Sequence, residues 1–172
     1  RIGGCDIGCQ WCDTKVSWHP EIHHAVSIND IIDAIKKLST DSIVVTGGEP
    51  CLYNLEPLCS QASKHSLKKY LETSGHHKIT GEWDWICISP KASHPPVQEN
   101  LEMANELKVI VYEEKDIIRA EQYVNKLTED CILYLQPEWS RRKQMTSLIV
   151  EYIKENPEWN LSLQIHKYIG IP

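Results

Sequence analysis

The stretch GGCDIGCQWCDT, residues 3–14, places Cys5, Cys9 and Cys12 in the pattern Cys-x3-Cys-x2-Cys. Three thiolates on one short loop can hold three corners of a [4Fe–4S] cluster and leave the fourth iron without a protein ligand. An iron with an open position can bind a substrate or a cofactor. The spacing alone also allows a structural zinc site, with His19 as the fourth ligand.

The size and charge of the chain limit its class. Its 172 residues are enough for one domain with a sizeable core, so we expect a single domain over residues 1–172. The net charge of −6 argues against a nucleic-acid surface, which is usually basic. No apolar run is long enough to span a bilayer, and we expect no membrane association. An odd number of cysteines, seven, with three clustered as ligands, favours a reducing cytoplasm over a secreted disulfide framework.

Beyond the cysteine loop, short apolar runs alternate with helical patterns. Predicted strands cover 42–46, 69–73, 83–89, 106–112, 131–136 and 160–166. Helices are predicted between them, the first with Ser27 and Asp30 as a capping box and the longest over 141–156. The alternation indicates an α/β fold with a parallel sheet. Because RIGG at residues 1–4 is typical of the end of a strand, we expect the start of that strand upstream of residue 1.

Polar residues follow five of these strands at their carboxyl ends. The segments are Thr46-Gly47-Gly48-Glu49-Pro50, Glu72-Thr73-Ser74-Gly75, Ser89-Pro90-Lys91, Gln136-Pro137 and Gln164-Ile165-His166-Lys167. Ordinary turn chemistry explains one such segment. Five at the edge where parallel α/β folds build their sites predict a functional site there.

The cysteine pattern, with Trp11 before the last cysteine and GGEP at residues 47–50, resembles the radical S-adenosylmethionine (SAM) superfamily. That resemblance implies a partial, reduced (β/α)6-type barrel with a [4Fe–4S] cluster and SAM as cofactors. It also implies that the GGEP segment binds the methionine amino group of SAM. Gly47 and Gly48 would permit close approach of the backbone to a ligand.

Further motifs resemble the 7-carboxy-7-deazaguanine synthase family over nearly the whole chain. They are GCDIGCQWCDT, TGGEP, ETSG, SPK, the LKV strand, LQP and the terminal LQIHKYIGIP. The resemblance implies conversion of 6-carboxy-5,6,7,8-tetrahydropterin to 7-carboxy-7-deazaguanine with loss of ammonia. The Gln-Gly-Glu stretch with which that family binds its substrate would precede residue 1.

The resemblance also implies roles for individual residues. Thr14 would be a ligand to Mg²⁺, although a capping or turn role is the alternative that the residues themselves favour. Residues implied at the SAM site are Trp11, Asp13, Gly47, Gly48, Glu49, Ser89, Pro90, Lys91, Gln136, Pro137 and Glu138. Residues implied at the pterin site are Thr46, Glu72, Ser74, His166 and Pro172. Cys51, directly after GGEP, is interpreted as buried rather than as a fourth cluster ligand.

The same resemblance implies a homodimer, a pterin as small-molecule substrate and an electron donor of the flavodoxin type. Two other classes stay open. A glycyl-radical-enzyme activating protein shares the cysteine pattern and GGEP but acts on a protein. A non-catalytic zinc-binding domain would use the three cysteines structurally.

Overall fold

The computed structural model describes residues 1–171, so the predicted substrate contact of Pro172 lies outside the described residues. One six-stranded sheet organises the fold, with its strands in sequential order and each neighbouring pair parallel. The strands are β1 (Ser42–Val45), β2 (Lys68–Thr73), β3 (Trp85–Ile88), β4 (Glu106–Val111), β5 (Ile132–Pro137) and β6 (Trp159–Leu161). The predicted α/β class and parallel sheet are confirmed.

Helices connect most of these strands. They are α1 (Ile28–Lys36), α2 (Glu56–Lys64), α3 (Gln98–Glu102), α4 (Lys115–Val124), α5 (Arg142–Glu155) and α6 (Ile165–Ile169). The predicted cap of the first helix is present, because Ser27 Oγ accepts a hydrogen bond from the amide of Asp30 at 3.1 Å. Short 3₁₀ turns cover Lys15–Trp18, Pro20–Ile22, Pro50–Leu52 and Trp139–Arg141. No helix within residues 1–171 combines the length and apolarity needed to cross a membrane.

The sheet is open between its first and last strands. Ile2 forms a parallel bridge with Gly47, which adds a short rung beside the end of β1. Within residues 1–171 no pairing joins β1 to β6, so the sheet is a partial barrel, as the resemblance to the radical SAM superfamily implies. The cysteine loop therefore follows one edge of the sheet, and the carboxyl-terminal segment follows the other.

Alternation along β4 separates the core from the interior of the partial barrel. Leu107, Val109 and Val111 are buried in the core cluster that includes residues of α4 and α5. Lys108 and Ile110 point to the opposite face and line a cavity there. The predicted burial of Cys51 is confirmed. Cys59, Cys87 and Cys131 are buried as well, and all four are free thiols.

The last strand is shorter than predicted. It ends at Leu161, and the sequence expectation of a strand to residue 166 is wrong. Leu163 and Ile165 continue the alternating apolar pattern, but both are exposed rather than packed in the core. The chain turns instead, and His166 lies in α6 rather than at the end of a strand.

Candidate active site

The carboxyl ends of the strands and the cysteine loop enclose a cavity of about 490 Å³. Predicted site residues that line it are Cys5, Cys9, Trp11, Cys12, Asp13, Thr14, Thr46, Gly47, Gly48, Glu49, Glu72, Ser74, Ser89, Lys91, Gln136, Glu138 and His166. Pro90 and Pro137 are buried and are not among the residues that line the cavity. Residues distant in sequence thus meet at the edge where the strand-end pattern predicts a site.

The three loop cysteines are half-buried free thiols that all face this cavity. Burial raises the pKa of Cys9; Lys91 opposes the rise, and the neighbouring Cys12 and Cys5 add to it. A desolvated, mutually close set of three thiols becomes stable as thiolates once a cationic iron centre binds them. The three thiols fit a [4Fe–4S] cluster, of which they would hold three irons and leave the fourth without a protein ligand.

The zinc alternative lacks its fourth ligand. The Nδ1 atom of His19 contacts Glu21 Oε1 at 3.2 Å, its ring is exposed, and the residue does not line the cavity. The side-chain arrangement therefore disfavours a tetrahedral zinc site.

The glycine pair lines the cavity and also lies directly against the chain itself. A Cβ on Gly47 would lie 2.1 Å from the carbonyl oxygen of Ile2, and a Cβ on Gly48 would lie 2.2 Å from that of Gly4. The amide of Gly48 donates to Ile2 O at 2.9 Å, and that of Glu49 donates to Gly4 O at 2.8 Å. Both glycines are needed because the backbone leading to the cysteine loop lies directly against them.

Glu49 is buried and its carboxylate accepts four hydrogen bonds. Oε1 accepts from Thr73 Oγ1 at 2.6 Å and from the Cys51 amide at 3.0 Å. Oε2 accepts from the amide and the hydroxyl of Ser74, at 2.8 and 2.5 Å. The carboxylate thus joins the ends of β1 and β2, and the Ser74 hydroxyl predicted at the pterin site donates to it. The sequence did not predict the hydrogen bond from Thr73, although the position of Thr73 within the ETSG motif was a signal for it.

Lys91 brings a cation to the cysteine loop. Its Nζ donates to the carbonyl oxygen and, at 2.8 Å, to the hydroxyl of Ser89, and it lies 5.9 Å from the centroid of the Trp11 ring. Burial lowers the pKa of Lys91. The SPK segment therefore places a poorly hydrated ammonium beside thiols that become anionic on binding iron.

Lys108 is a cavity residue that the sequence analysis missed. Its Nζ lies 3.3 Å from Oε2 of Glu72, a residue predicted at the pterin site. Burial works to lower the Lys108 pKa, but the neighbouring Cys87, Glu72 and Glu106 outweigh it and raise that pKa. The signal in the sequence was a lysine at an inward position of an alternating strand.

Thr14 faces the cavity without acting as a helix cap. It stands at the first position before the turn Lys15–Trp18, yet its side chain makes no capping hydrogen bond. Its Oγ1 lies 3.7 Å from Cys12 Sγ. The side-chain cap is therefore absent, but the turn role is present, because Thr14 O accepts from the Ser17 amide at 2.8 Å. The Thr14 hydroxyl remains free of that turn and is placed where it could ligate a hard cation.

The carboxyl-terminal segment meets the cysteine loop at Asp13. Oδ2 of Asp13 accepts from Gln164 Nε2 at 3.0 Å and pairs with Lys167 Nζ at 2.8 Å. Burial works to raise the Asp13 pKa, but the hydrogen bond and the charge of Lys167 outweigh it and hold that pKa low. These side-chain contacts bridge the segments that follow the two edges of the open sheet.

Gln136 and Glu138 are held by neighbours at the end of β5. Gln136 Oε1 accepts from the Ser162 hydroxyl at 3.1 Å. The Glu138 carboxylate accepts from the Ser140 hydroxyl and, at 3.2 Å, from the Arg141 amide, so it caps the turn that precedes α5. Both predicted SAM-site residues thus line the cavity in fixed orientations.

A partial parallel barrel with three thiols on a loop at its carboxyl edge is the architecture of a radical SAM enzyme. The family described as a 4Fe-4S single cluster domain matches residues 1–123. The chain is 46% identical to 7-carboxy-7-deazaguanine synthase of Flavobacterium psychrophilum, over all of this chain and 81% of that protein. It is 32% identical to the enzyme of the same name from Escherichia coli, over 99% of this chain and 88% of that protein.

The structural comparison agrees. The crystal structure of QueE from Escherichia coli superposes with a TM-score of 0.81 at 30% identity, over 95% of this chain and 83% of the other. The chain belongs to the 7-carboxy-7-deazaguanine synthase family of radical SAM enzymes, whose cofactors are a [4Fe–4S] cluster and SAM. Membership in this family decides against the two other classes that the sequence left open, the glycyl-radical-enzyme activating protein and the zinc-binding domain.

Proposed function

We propose that the protein is a carbon–nitrogen lyase that converts 6-carboxy-5,6,7,8-tetrahydropterin to 7-carboxy-7-deazaguanine with loss of ammonia. The observation that carries the proposal is one cavity that combines the three-thiol loop with acceptors and cations suited to a small polar heterocycle. Its volume of about 490 Å³ is in the ordinary range for small-molecule sites, about 300–1,000 Å³. Family membership supports the choice of substrate.

In this proposal Cys5, Cys9 and Cys12 hold the cluster. When bound, the cluster and SAM supply a 5′-deoxyadenosyl radical that abstracts a hydrogen atom from the substrate. The chain binds and orients SAM through residues that line the cavity, namely Trp11, Asp13, Gly47, Gly48, Glu49, Ser89, Lys91, Gln136 and Glu138. Pro90 and Pro137 would not touch SAM directly. Each would restrict the backbone next to a SAM-site residue and so hold that residue in place.

Mg²⁺ is the third proposed cofactor, with Thr14 as its protein ligand. A threonine hydroxyl alone binds a hard cation weakly, so the remaining ligands would be oxygen atoms of the substrate carboxylate and water. The position of Thr14 in the cavity, beside Cys12, supports this assignment.

Thr46, Glu72, Ser74 and His166 are the proposed pterin contacts, with Pro172 as a further one. Glu72 suits the amino and ring N–H groups of a pterin, because an ionised carboxylate accepts two hydrogen bonds side by side. The ammonium of Lys108 lies 3.3 Å from that carboxylate and orients it in the cavity.

We also propose a homodimer, an electron donor of the flavodoxin type and a cytoplasmic location. The dimer is supported by exposed apolar residues in the carboxyl-terminal segment, Ile165, Ile169 and Ile171, each more than half exposed. The reducing location is supported by the buried free thiols.

Anaerobic turnover tests the proposal. Enzyme reconstituted with iron and sulfide receives SAM, a reductant and 6-carboxytetrahydropterin, with and without Mg²⁺, and product is followed by mass spectrometry. We expect 7-carboxy-7-deazaguanine, more of it with Mg²⁺, and a Thr14→Ala variant that has lost most of the Mg²⁺ stimulation. Cleavage of SAM without a deazapurine product would contradict the proposed substrate.

Matched cysteine variants test the cluster ligands. Cys12→Ala is expected to lose the cluster absorbance and all turnover, because two thiolates do not retain a [4Fe–4S] cluster. Cys51→Ala is expected to keep its iron, because Cys51 is buried and burial raises its pKa to about 12. Loss of iron from the Cys51 variant alone would assign that residue as a ligand and overturn the assignment made here.

A further inference from the structure

The two free edges of the partial barrel meet through side chains. The cysteine loop follows the rung that Ile2 makes beside β1, whereas residues 162–171 follow β6 at the other edge. Asp13 reaches from the loop to Gln164 and Lys167, at 3.0 and 2.8 Å. These partners are about 150 positions apart in the chain, so the contact exists only because the sheet curves.

The backbone does little to fix the carboxyl-terminal segment. The amide of Ser162 donates to Leu135 O at 2.9 Å, which ends the pairing with the sheet. The backbone hydrogen bonds that the structure records for residues 163–171 stay within that segment. Because α6 has only five residues, it is too short to be stable without tertiary contacts.

Trp139 holds the same segment from the β5 side. Its ring packs edge to face with Tyr168, with centroids 5.0 Å apart and planes at 82°. Lys167 Nζ lies 5.5 Å from the centroid of the Trp139 ring and also pairs with Asp13. Lys167 thus contacts both residues that hold the segment, Asp13 and Trp139, and its side chain is only 20% exposed.

We propose that Asp13 is a positioning residue that fastens residues 162–171 across the open side of the barrel through Lys167 and Gln164. The contact sets the position of His166 at the cavity, since His166 lies in the chain between Gln164, which precedes α6, and Lys167, which is in α6. The consequence for the pterin rests on the proposed function. The fastening itself does not, because it is a contact between described residues of the chain.

Hydrogen exchange of the anaerobically reconstituted enzyme tests the fastening. Asp13→Asn, Lys167→Met and the double variant are compared with wild type by mass spectrometry of the peptide over residues 163–171. Each single variant is expected to exchange about three- to tenfold faster there, as a partly buried charged contact is lost. The double variant is expected to exchange no faster than the faster single variant, because the two single substitutions break the same contact between Asp13 and Lys167.

Lys154→Met is the matched control, because Lys154 forms an exposed pair with Glu151 at 2.7 Å on α5, and neither residue lines the cavity. It is expected to match wild type in exchange and in turnover. Unchanged exchange in both single variants, or effects that multiply in the double variant, would overturn the proposal. This outcome is read without turnover, so it is independent of the proposed substrate.

Kinetics of the Lys167→Met variant extend the test to the active site. A loosened segment is expected to raise the KM for the pterin about fivefold or more while the KM for SAM changes less, because His166 in that segment is a proposed pterin contact. Lys167→Arg, which keeps the charge, is expected to restore most of the wild-type value. Equal increases in both KM values, or no rescue by arginine, would contradict positioning through this ion pair.

Discussion

The two edges of the sheet hold their active-site segments by different means. At β1 the cysteine loop is attached by backbone hydrogen bonds of 2.7–2.9 Å that run between residues 2–4 and 46–49. At β6 the carboxyl-terminal segment is attached by the side chains of Asp13 and Trp139. Backbone pairing restrains the residues that lead into the cluster loop, whereas the carboxyl-terminal segment depends on side-chain contacts, which open more easily.

Gly48→Ala should have the largest effect, because it breaks the backbone attachment. The new Cβ would lie 2.2 Å from the carbonyl oxygen of Gly4, and neither backbone can rotate away. We expect a loss of about 3 kcal/mol in the free energy of unfolding and a large drop in iron content. Urea denaturation and iron analysis of the reconstituted protein check this.

Gly170→Ala is the control for the Gly48 variant. Gly170 has a φ of +70°, and a Cβ there would meet nothing within 4 Å. It therefore costs only the strain of a left-handed residue, about 1 kcal/mol, confined to the carboxyl-terminal segment. Iron content equal to that of wild type in Gly48→Ala would show that the loop is not held as described.

Glu49→Gln should have an intermediate effect. Whichever way the new amide points, its NH₂ group meets donors that now bind a carboxylate oxygen, either from Cys51 and Thr73 or from Ser74. A buried amide left unsatisfied costs about 2 kcal/mol of unfolding free energy. Urea denaturation measures this cost.

Glu151→Gln is the matched control for the Glu49 variant, since Glu151 makes an exposed ion pair with Lys154. Its unfolding free energy is expected to stay within about 0.5 kcal/mol of wild type. Equal stability of the two variants would mean that the Glu49 carboxylate does not join β1 to β2.

Tyr168→Ala should have the smallest effect, limited to the side-chain attachment at β6. Loss of the edge-to-face contact with Trp139 is worth about 1 kcal/mol and affects local opening only. We expect trypsin to cleave after Lys167 about fivefold faster, with the urea midpoint unchanged. Ile118→Ala, at an exposed position on α4, should leave cleavage after Lys167 at the wild-type rate. A midpoint that falls together with faster cleavage would show that the segment belongs to the core.

Sequence reasoning succeeded where one short stretch carries the information. The three cysteines, the Ser27 cap and the apolar strand runs are local patterns, and each is in the structure as predicted. The predicted extent of the last strand was wrong, because apolar alternation at Leu163 and Ile165 does not tell whether a neighbouring strand pairs with them. Lys108 was missed, because its pairing with Glu72 depends on which face of β4 turns inward.

The sequence by itself determined the three-thiol loop, the βα alternation and the polar strand ends, because spacing and periodicity act over a few residues. Only the tertiary structure decided that Gly47 and Gly48 make room for the backbone of residues 2–4. It also decided that Asp13 meets Lys167. Both contacts join segments far apart in the chain, and their geometry follows from the curvature of the whole sheet, which no short pattern records.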